Sequence, residues 1–400
     1  MTEGLRLSLD VSAVPSDPVG AGRYTLHLAE ALARGGEVSL VLWARRGDGT
    51  RWRALTGAAH RPSVGGRAAV ATVRAAAPRA RLARLAWEQV RLPGLVAGAD
   101  VDVHHGPHYT MPERARLATV VTVHDLTFFD HPEWHERSKV VVFRRAIRRA
   151  AEEADAVVCV STKTAERLQE LCPARGRVFV IPHGIDHARF RPHEPEAGSD
   201  DACLARLGVR PPFVVFVGTV EPRKGIGDLV AAFDRVAEEN DDLTLVVVGG
   251  RGWGGAAVEA PFATARHRDR IVRAGYVPDE AVPALLRRAA VAVYPSHEEG
   301  FGLPALEALA CGTALVTTAG TAMAEVSGDA AVLVTAGSVA ELADAVAGVV
   351  DGGRDVEDRR RLGLERAAGY SWERCAEGHL EAYRFAVGHR RPPGPKNDDR

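Results

Sequence analysis

Short apolar runs rich in Val, Leu and Ile alternate along the chain with longer stretches in which apolar residues recur every three or four positions. The first set of runs is LRLSLD, VSLVLW, VDVHH, ATVVTVHD, AVVCV and VFVIP. A second set, FVVFVG, LTLVVVG, IVRAGY, VAVYPS, ALVTT and AVLV, begins after the proline- and acid-rich stretch RPHEPEAGSDD. Such runs, separated by amphipathic segments, predict strand–helix–strand units and a parallel sheet. The pattern is written twice. Residues 224 to 239 illustrate the intervening helices, with Ile226, Leu229, Val230, Phe233 and Val236 on one stripe.

The doubling predicts an α/β protein with a Rossmann-like N-terminal domain over 1–190 and a second Rossmann-like domain over 191–375. The best linker runs from His187 to Pro212. A helix around 371 to 388, carrying Trp372, Leu380 and Tyr383, is expected to pack back on the first domain, so that 376–400 comprises a crossing helix and a tail. The tail, HRRPPGPKNDDR, is expected to be disordered.

Composition narrows the classes. With 400 residues, 46% hydrophobic and 26% charged, the chain suits two globular domains and neither a fibre nor a disordered polymer. The net charge of −1 conceals an asymmetry: residues 1–190 carry 27 Lys/Arg against 20 Asp/Glu, and residues 191–400 carry 24 against 32. A basic first half is compatible with peripheral contact to an anionic membrane surface, or with solvation alone. No nucleic-acid partner is expected. The five cysteines, Cys159, Cys172, Cys203, Cys311 and Cys375, are odd in number and widely spaced, without a Cys-x-x-Cys pair. They read as reduced thiols. The N-terminus lacks a signal-like pattern and no apolar run reaches membrane-spanning length, so a cytoplasmic protein is expected.

The strongest chemical signal is HEEGFGLPALEALACG, residues 297–312, directly after VAVYPS. Pro304 suits the first turn of a helix and Gly312 its end. That places Glu299 before the helix and Glu307 in its first turn, with seven residues between them. Backbone amides of Phe301, Gly302 and Leu303 then face the helix N-terminus, where a phosphate is favoured. The plain alternative is a pair of ordinary helix-start carboxylates. A second signal is VGTVEPRKGIGDLVAAF, where a strand ends in Gly218 and a turn delivers Arg223 and Lys224 ahead of a helix. Two cations at a strand's carboxyl end suit a diphosphate. Their alternative is a solvated charge pair.

The third signal, GAGRYTLHLAEAL from Gly20, offers close backbone approach to a ligand and a stripe of Tyr24, Leu28 and Leu32. It lacks the third glycine of the dinucleotide fingerprint, which disfavours an NAD-dependent enzyme. Histidines crowd the first half, at His104, His105, His108, His124, His131 and His135, but without zinc-ligand spacing. His124 sits at a strand's carboxyl end, where α/β active sites collect; the alternative is a structural histidine.

These segments, in this order, resemble the retaining glycosyltransferases of family 4, also called glycosyltransferases group 1, which have the GT-B fold of two Rossmann-like domains facing across a cleft. EGFGLPALE resembles that family's Glu, seven residues, Glu motif, and GTVEPRKG its Arg-Lys diphosphate clamp. GAGRY, VTVHDL, VCVSTKTAERL and VIPHGIDHARFRP resemble further family segments, so the likeness covers about residues 5 to 385. VHDLTFFDHPEWH and VVGGRGW look most like O-antigen and capsule mannosyltransferases. One departure is His183 in IPHGID, near the linker, where Asn is more usual.

The resemblance implies transfer of a hexose, with a mannose-type sugar such as that of GDP-mannose favoured, from a nucleoside-diphosphate donor to a hydroxyl acceptor, with retention and without metal or other cofactor. It implies that Arg223 and Lys224 neutralise the diphosphate, that Glu307 binds the ribose hydroxyls and that Glu299 holds the donor sugar. Gly22, Gly218 and the amides of Phe301, Gly302 and Leu303 would approach the phosphates, and Val277 the base. Arg23, Tyr24, His124 and Asp125 would meet the acceptor, with His124 also facing the sugar. A nucleotide-sugar epimerase of the same architecture and a silent nucleotide-sugar-binding subunit are the rivals; intact Glu299, Glu307, Arg223 and Lys224 argue against the second.

Overall fold

The computed structural model describes residues 4–57, 71–114, 116–353 and 355–390. The chain forms two compact units, Met1–Gly184 with Trp372–Arg400, and Ile185–Ser371. The divisions therefore fall at 184/185 and 371/372 in place of 190 and 375. Ile185 and Ser371 pair in an isolated parallel bridge within the second unit, and the whole terminal helix, Trp372–Gly388, belongs to the first.

The first unit holds seven parallel strands, β1 (Leu5–Asp10), β2 (Val38–Arg45), β3 (Ala71–Ala77), β4 (Val103–Gly106), β5 (Ala118–Val123), β6 (Ala156–Cys159) and β7 (Arg177–Val180), in the order β3-β2-β1-β4-β5-β6-β7. The second holds six, β8 (Phe213–Val217), β9 (Thr244–Val248), β10 (Ile271–Gly275), β11 (Val291–Tyr294), β12 (Leu315–Thr318) and β13 (Ala331–Val334), in the order β10-β9-β8-β11-β12-β13. Every apolar run named from the sequence is a strand. The strand not foreseen is the edge strand β3, whose sequence ATVRAAA has one large aliphatic residue, Val73, and is mostly exposed or half-buried. Alanines give no strand signal.

Two further expectations change. The segment 187–212 is not a bare linker: Ser199–Leu207 is a helix, held to the helix Ala281–Arg288 by Arg287, which donates to both carboxylate oxygens of the buried Asp200 at 2.7 and 2.6 Å. A buried ion pair, not an apolar stripe, fixes much of that helix, which is why periodicity missed it. The terminal helix lies on the first unit's sheet, where Leu380, Ala382, Tyr383 and Ala386 share a core with Leu7, Val103, Val120 and Val158. The expected tail lies, from residue 391 on, outside the described residues.

In each sheet the strand order reverses between neighbours, β1/β4 and β8/β11, the switch point at whose carboxyl end ligand sites of open α/β sheets collect. Arg223 and Lys224 follow β8, and Glu299 follows β11. In the first unit the Gly20 loop follows β1, and His124 follows β5, beside β4. Among the described residues no helix is long and apolar enough to cross a membrane.

Candidate functional site

In the second unit, β8 hands over to a tight turn. Gly218 N donates to Val248 O at 2.8 Å, and Pro222–Lys224 make one 3-10 turn closed by Gly225 at φ +66°. A Cβ at Gly225 would lie 2.0 Å from Pro295 O, so only glycine lets this turn press against the end of β11. His297 N donates to Arg223 O at 2.8 Å and joins the two loops through their backbones.

The side chains then interlock. Arg223 lies between two carboxylates, its Nε 2.5 Å from Glu221 Oε1 and its Nη1 3.2 Å from Glu299 Oε2, and Nη1 donates to Glu298 O at 3.2 Å. Lys224 Nζ donates to Glu299 Oε1. Burial alone pushes the Glu299 carboxyl up, but Lys224 and Arg223 beside it prevail and hold it at about 2. Lys224 is lowered by burial, against the raising effect of Glu299. Glu221 was not singled out in the sequence, where it is one acid among many; only the fold shows that it braces Arg223.

The helix after Glu299 runs Leu303–Ala310, with Gly302 at φ +105° as its N-cap. A Cβ there would lie 2.5 Å from Met323 Cγ. Ala305 N and Leu306 N donate to Gly302 O at 3.0 and 3.2 Å. Because the helix begins at Leu303, before Pro304, Glu307 is its fifth residue and sits in the second turn, not the first. It is buried at 8% exposure, and its charge adds to burial in raising the nearby Tyr294 phenol well above its ordinary value. Phe301 is buried with its ring 6.1 Å from that of Tyr370, and Val277 is buried just beyond β10.

In the first unit, His124 is buried just past β5 and its Nε2 donates to Pro107 O at 2.7 Å. A carbonyl can only accept, so Nδ1 keeps the lone pair of the neutral ring. Burial lowers its pKa, with the Pro107 carbonyl and Asp125 opposing. Asp125 Oδ1 accepts from Thr127 N and Oγ1 at 3.1 and 2.7 Å, and Oδ2 accepts from Tyr109 OH at 3.0 Å. Its carboxylate thus caps the Thr127–Asp130 turn and fixes Tyr109, which sits at φ +65°.

Tyr24 is fully buried, its hydroxyl 2.9 Å from Thr122 Oγ1 and 2.7 Å from His379 Nε2. It is a core residue, on the same helix stripe as Leu28 and Leu32, and this removes it from the acceptor contacts expected of it. Arg23 is half-buried and its Nε donates to Pro18 O at 3.3 Å. At Gly22 a Cβ would lie 2.9 Å from Pro18 Cβ, so the demand for glycine there comes from the chain's own loop. His183 stacks on Tyr24 and Trp372 at 4.9 and 6.0 Å, inside the first unit and one residue before its boundary at Gly184. Among the described residues no cluster of three or more His, Cys, Asp or Glu is arranged to hold a metal ion.

Two family descriptions match the chain, one for each half: Glycosyltransferase Family 4 over residues 18–189 and Glycosyl transferases group 1 over residues 206–366. O-antigen chain mannosyltransferase B of Escherichia coli is 31% identical over 293 residues, 71% of this chain and 74% of that protein. D-inositol 3-phosphate glycosyltransferase of Nocardia farcinica is 33% identical over 293 residues, 69% of this chain and 63% of that protein. Among solved structures, sucrose-phosphate synthase of Thermosynechococcus elongatus matches with a TM-score of 0.75 at 21% identity, over 96% of this chain and 99% of that one. HepE of Anabaena, solved in complex with UDP-glucose, matches with a TM-score of 0.70 at 18% identity, over 94% and 98%. These structural likenesses speak to the fold.

Proposed function

Since the chain belongs to glycosyltransferase family 4 and has the GT-B fold, we propose that it moves a hexose from a nucleoside-diphosphate sugar to a hydroxyl acceptor with retention of anomeric configuration and without a metal ion. The observation that carries this reading is Arg223 fixed between Glu221 and Glu299 with Lys224 beside it. As the donor sugar leaves, negative charge grows on the diphosphate. Two cations already fixed in a poorly hydrated turn stabilise that charge without reorganising. They take the place a divalent ion would otherwise fill.

In this reading the acceptor hydroxyl oxygen bonds to the anomeric carbon while the bond from that carbon to the phosphate oxygen breaks on the same face, and the departing phosphate oxygen takes the acceptor's proton. Glu299 holds the sugar hydroxyls, Glu307 the ribose, and the amides at Phe301, Gly302 and Leu303 the phosphates. Val277 lies on the base side and Gly218 shapes the phosphate turn. His124, neutral with its Nδ1 lone pair, accepts a hydrogen bond from the sugar or acceptor, and Asp125 and Arg23 line the acceptor side through the loops they hold. A mannose-type donor such as GDP-mannose is supported by the likeness to the Escherichia coli mannosyltransferase. A cytoplasmic location is the one we favour.

The test is a thermal-shift panel of GDP, UDP, dTDP and ADP sugars, followed by assignment of the product's anomeric configuration. A ligand that binds only the folded state raises the melting temperature, by an amount that grows with its concentration over Kd. A GDP-sugar should raise it most. No shift with any nucleotide sugar would defeat the proposal.

A further inference from the structure

One face of the first unit's sheet carries a polar row where a core would be expected. Ser8 and Asp10 alternate with the core residues Leu7 and Leu9 along β1, so both point to the opposite face. His104, opposite Ser8 on β4, and Trp43, opposite Asp10 on β2, point the same way. The helix Arg81–Val90 covers this face, with the rings of Trp87 and Trp43 6.5 Å apart, and brings the buried Glu88 with it.

The row is bonded at one end only. Ser8 Oγ accepts from Trp43 Nε1 at 2.8 Å and lies 2.8 Å from His104 Nδ1. Beyond that pair, His104 Nε2 and Ser12 Oγ are fully buried and have no hydrogen-bond partner among the described residues. A buried polar group without a protein partner ordinarily meets a ligand or ordered water. Both groups belong to one corner. Asp10 is the charge that opposes burial at His104, and Asp10 Oδ1 accepts from Ser12 N at 2.8 Å. Glu88 shares it: burial and the Asp10 carboxylate push its carboxyl up, against Arg84 and the Thr110 hydroxyl. Arg84 Nη1 donates to Glu88 Oε2 at 3.5 Å.

This corner lies at the carboxyl ends of β1 and β4, the first unit's switch point. A Cβ at Gly106 would lie 1.9 Å from Thr110 O, so only glycine lets the 107–111 loop turn back over the end of β4. That loop sets His108 and Thr110, both half-buried, at the rim. Thr25 Oγ1 donates to Ala21 O at 2.9 Å, so His108 Nε2, 3.1 Å from that hydroxyl, donates to it and Nδ1 keeps the lone pair. Burial, His124 and Arg84 hold the ring neutral.

The chemistry selects the occupant. Two neighbouring carboxyls disfavour a phosphate, and Arg84, already paired with Glu88, disfavours an amine. Hydroxyl groups both donate and accept, and the two oxygens of one carboxyl span a vicinal pair. We infer that Asp10, Glu88 and His108 form a subsite for the vicinal hydroxyls of a neutral polyol ring, a pyranose or a cyclitol, with Ser12, His104 and Thr110 completing its hydrogen bonds. Only the ring's role as acceptor rests on the sugar-transfer reading.

Saturation-transfer NMR on the full chain without nucleotide tests it, with methyl α-mannopyranoside, myo-inositol and cyclohexanol as probes. One or both polyols should receive saturation, and the tighter of the two tells a pyranose from a cyclitol site. Cyclohexanol, a ring of the same size with one hydroxyl, should not. Glu88→Gln keeps the shape and should weaken polyol binding roughly tenfold or more, the loss of one charge-assisted bond, with an unchanged circular dichroism spectrum. His108→Ala, at the rim, should weaken it several-fold and keeps the test open should Glu88→Gln not fold. Saturation of neither polyol, equal saturation of cyclohexanol, or polyol binding indifferent to the folded variants overturns the inference. Polyol binding that depends on these residues, in a protein whose melting temperature no nucleotide sugar raises, upholds the subsite and defeats the donor reading; a nucleotide-sugar shift without polyol binding does the reverse.

Discussion

The hydroxyl of Tyr24 donates to His379 Nε2 at 2.7 Å, and the direction is forced. His379 Nδ1 lies 2.7 Å from Cys375 O, which can only accept, so Nδ1 carries the ring's hydrogen and Nε2 must accept. With its one hydrogen spent, Tyr24 accepts from Thr122 Oγ1 at 2.9 Å, Thr122 accepts from His105 Nε2 at 2.8 Å, and His105 Nδ1 accepts from Tyr383 OH at 2.7 Å. The chain of bonds begins and ends on the terminal helix Trp372–Gly388. It closes that helix onto β4, β5 and the helix Ala21–Gly35, and both imidazoles in it are neutral.

Stability of the first unit should therefore fall with acid. Burial lowers His105 well below its ordinary value and brings His379 to about 4, while an unfolded histidine titrates near 6.5. Above pH ~6.5 both states are neutral and the full stability is present. Between pH ~6.5 and the folded values the unfolded chain takes up protons that the folded one refuses, so stability is lost as pH falls. For His379 alone the loss is on the order of 3 kcal/mol. Urea unfolding of the full chain between pH 7.5 and 4.5 measures it; a flat profile would contradict the neutral network.

Tyr24→Phe should lower stability by about 1–3 kcal/mol, because it leaves His379 Nε2 and the Thr122 hydroxyl buried without their partner. The loss should appear in the denaturation midpoint. A variant that loses sugar transfer at unchanged stability would return Tyr24 to the site.

How much was legible before the fold is clear from these residues. Strands buried on both faces, such as ATVVTV and FVVFV, declare themselves by continuous β-branched runs, and the Arg-Lys and Glu segments by spacing. What stayed hidden depends on partners distant in sequence. Glu221 matters because Arg223 folds back on it, Tyr24 left the site because His379 arrives from 355 residues away, and the helix Ser199–Leu207 is tied down by Arg287. Glu307 moved by one position, from the fourth residue of the helix to the fifth, because a helix that admits Pro304 at its second position begins one residue earlier than a helix opened by it.

Arg223→Ala or Lys224→Ala should each raise the barrier to transfer by roughly 2–4 kcal/mol if the cation stabilises the leaving diphosphate. Glu221→Gln should cost less, since it loosens Arg223 without removing it, and the loss should fall on kcat more than on KM. Gly225→Ala should be as damaging as either cation variant, because the added methyl meets Pro295 O and the turn must shift. Measured kcat/KM for the four variants, with circular dichroism as the fold control, checks the ranking. Equal activity in Arg223→Ala and the parent would remove the diphosphate assignment.

Activity should persist in excess EDTA, because Arg223 and Lys224 supply the charge that a divalent ion would bring. The check is initial rate against chelator concentration, then with added Mg²⁺ or Mn²⁺. Complete loss restored by either ion would require a metal in the step.

Glu307 should read the ribose and leave the chemistry to others. It projects from the second turn of the helix Leu303–Ala310, one turn beyond the Gly302 cap, and is 8% exposed, so its reach is short and its direction fixed by packing. A carboxylate accepting two hydroxyl hydrogen bonds makes charge-assisted contacts worth about 1.5–3 kcal/mol each. Glu307→Gln keeps the shape and one accepting oxygen but loses the charge, so KM for the donor should rise by about tenfold or more, one such contact, while kcat changes by only a few fold. A donor lacking the ribose 2′-hydroxyl separates the roles further: the parent should discriminate against it, and the variant should discriminate less because the group that reads the hydroxyl is already weakened. If Glu307→Gln instead abolishes kcat with donor affinity intact, the carboxylate acts on the reacting atoms and the ribose assignment fails.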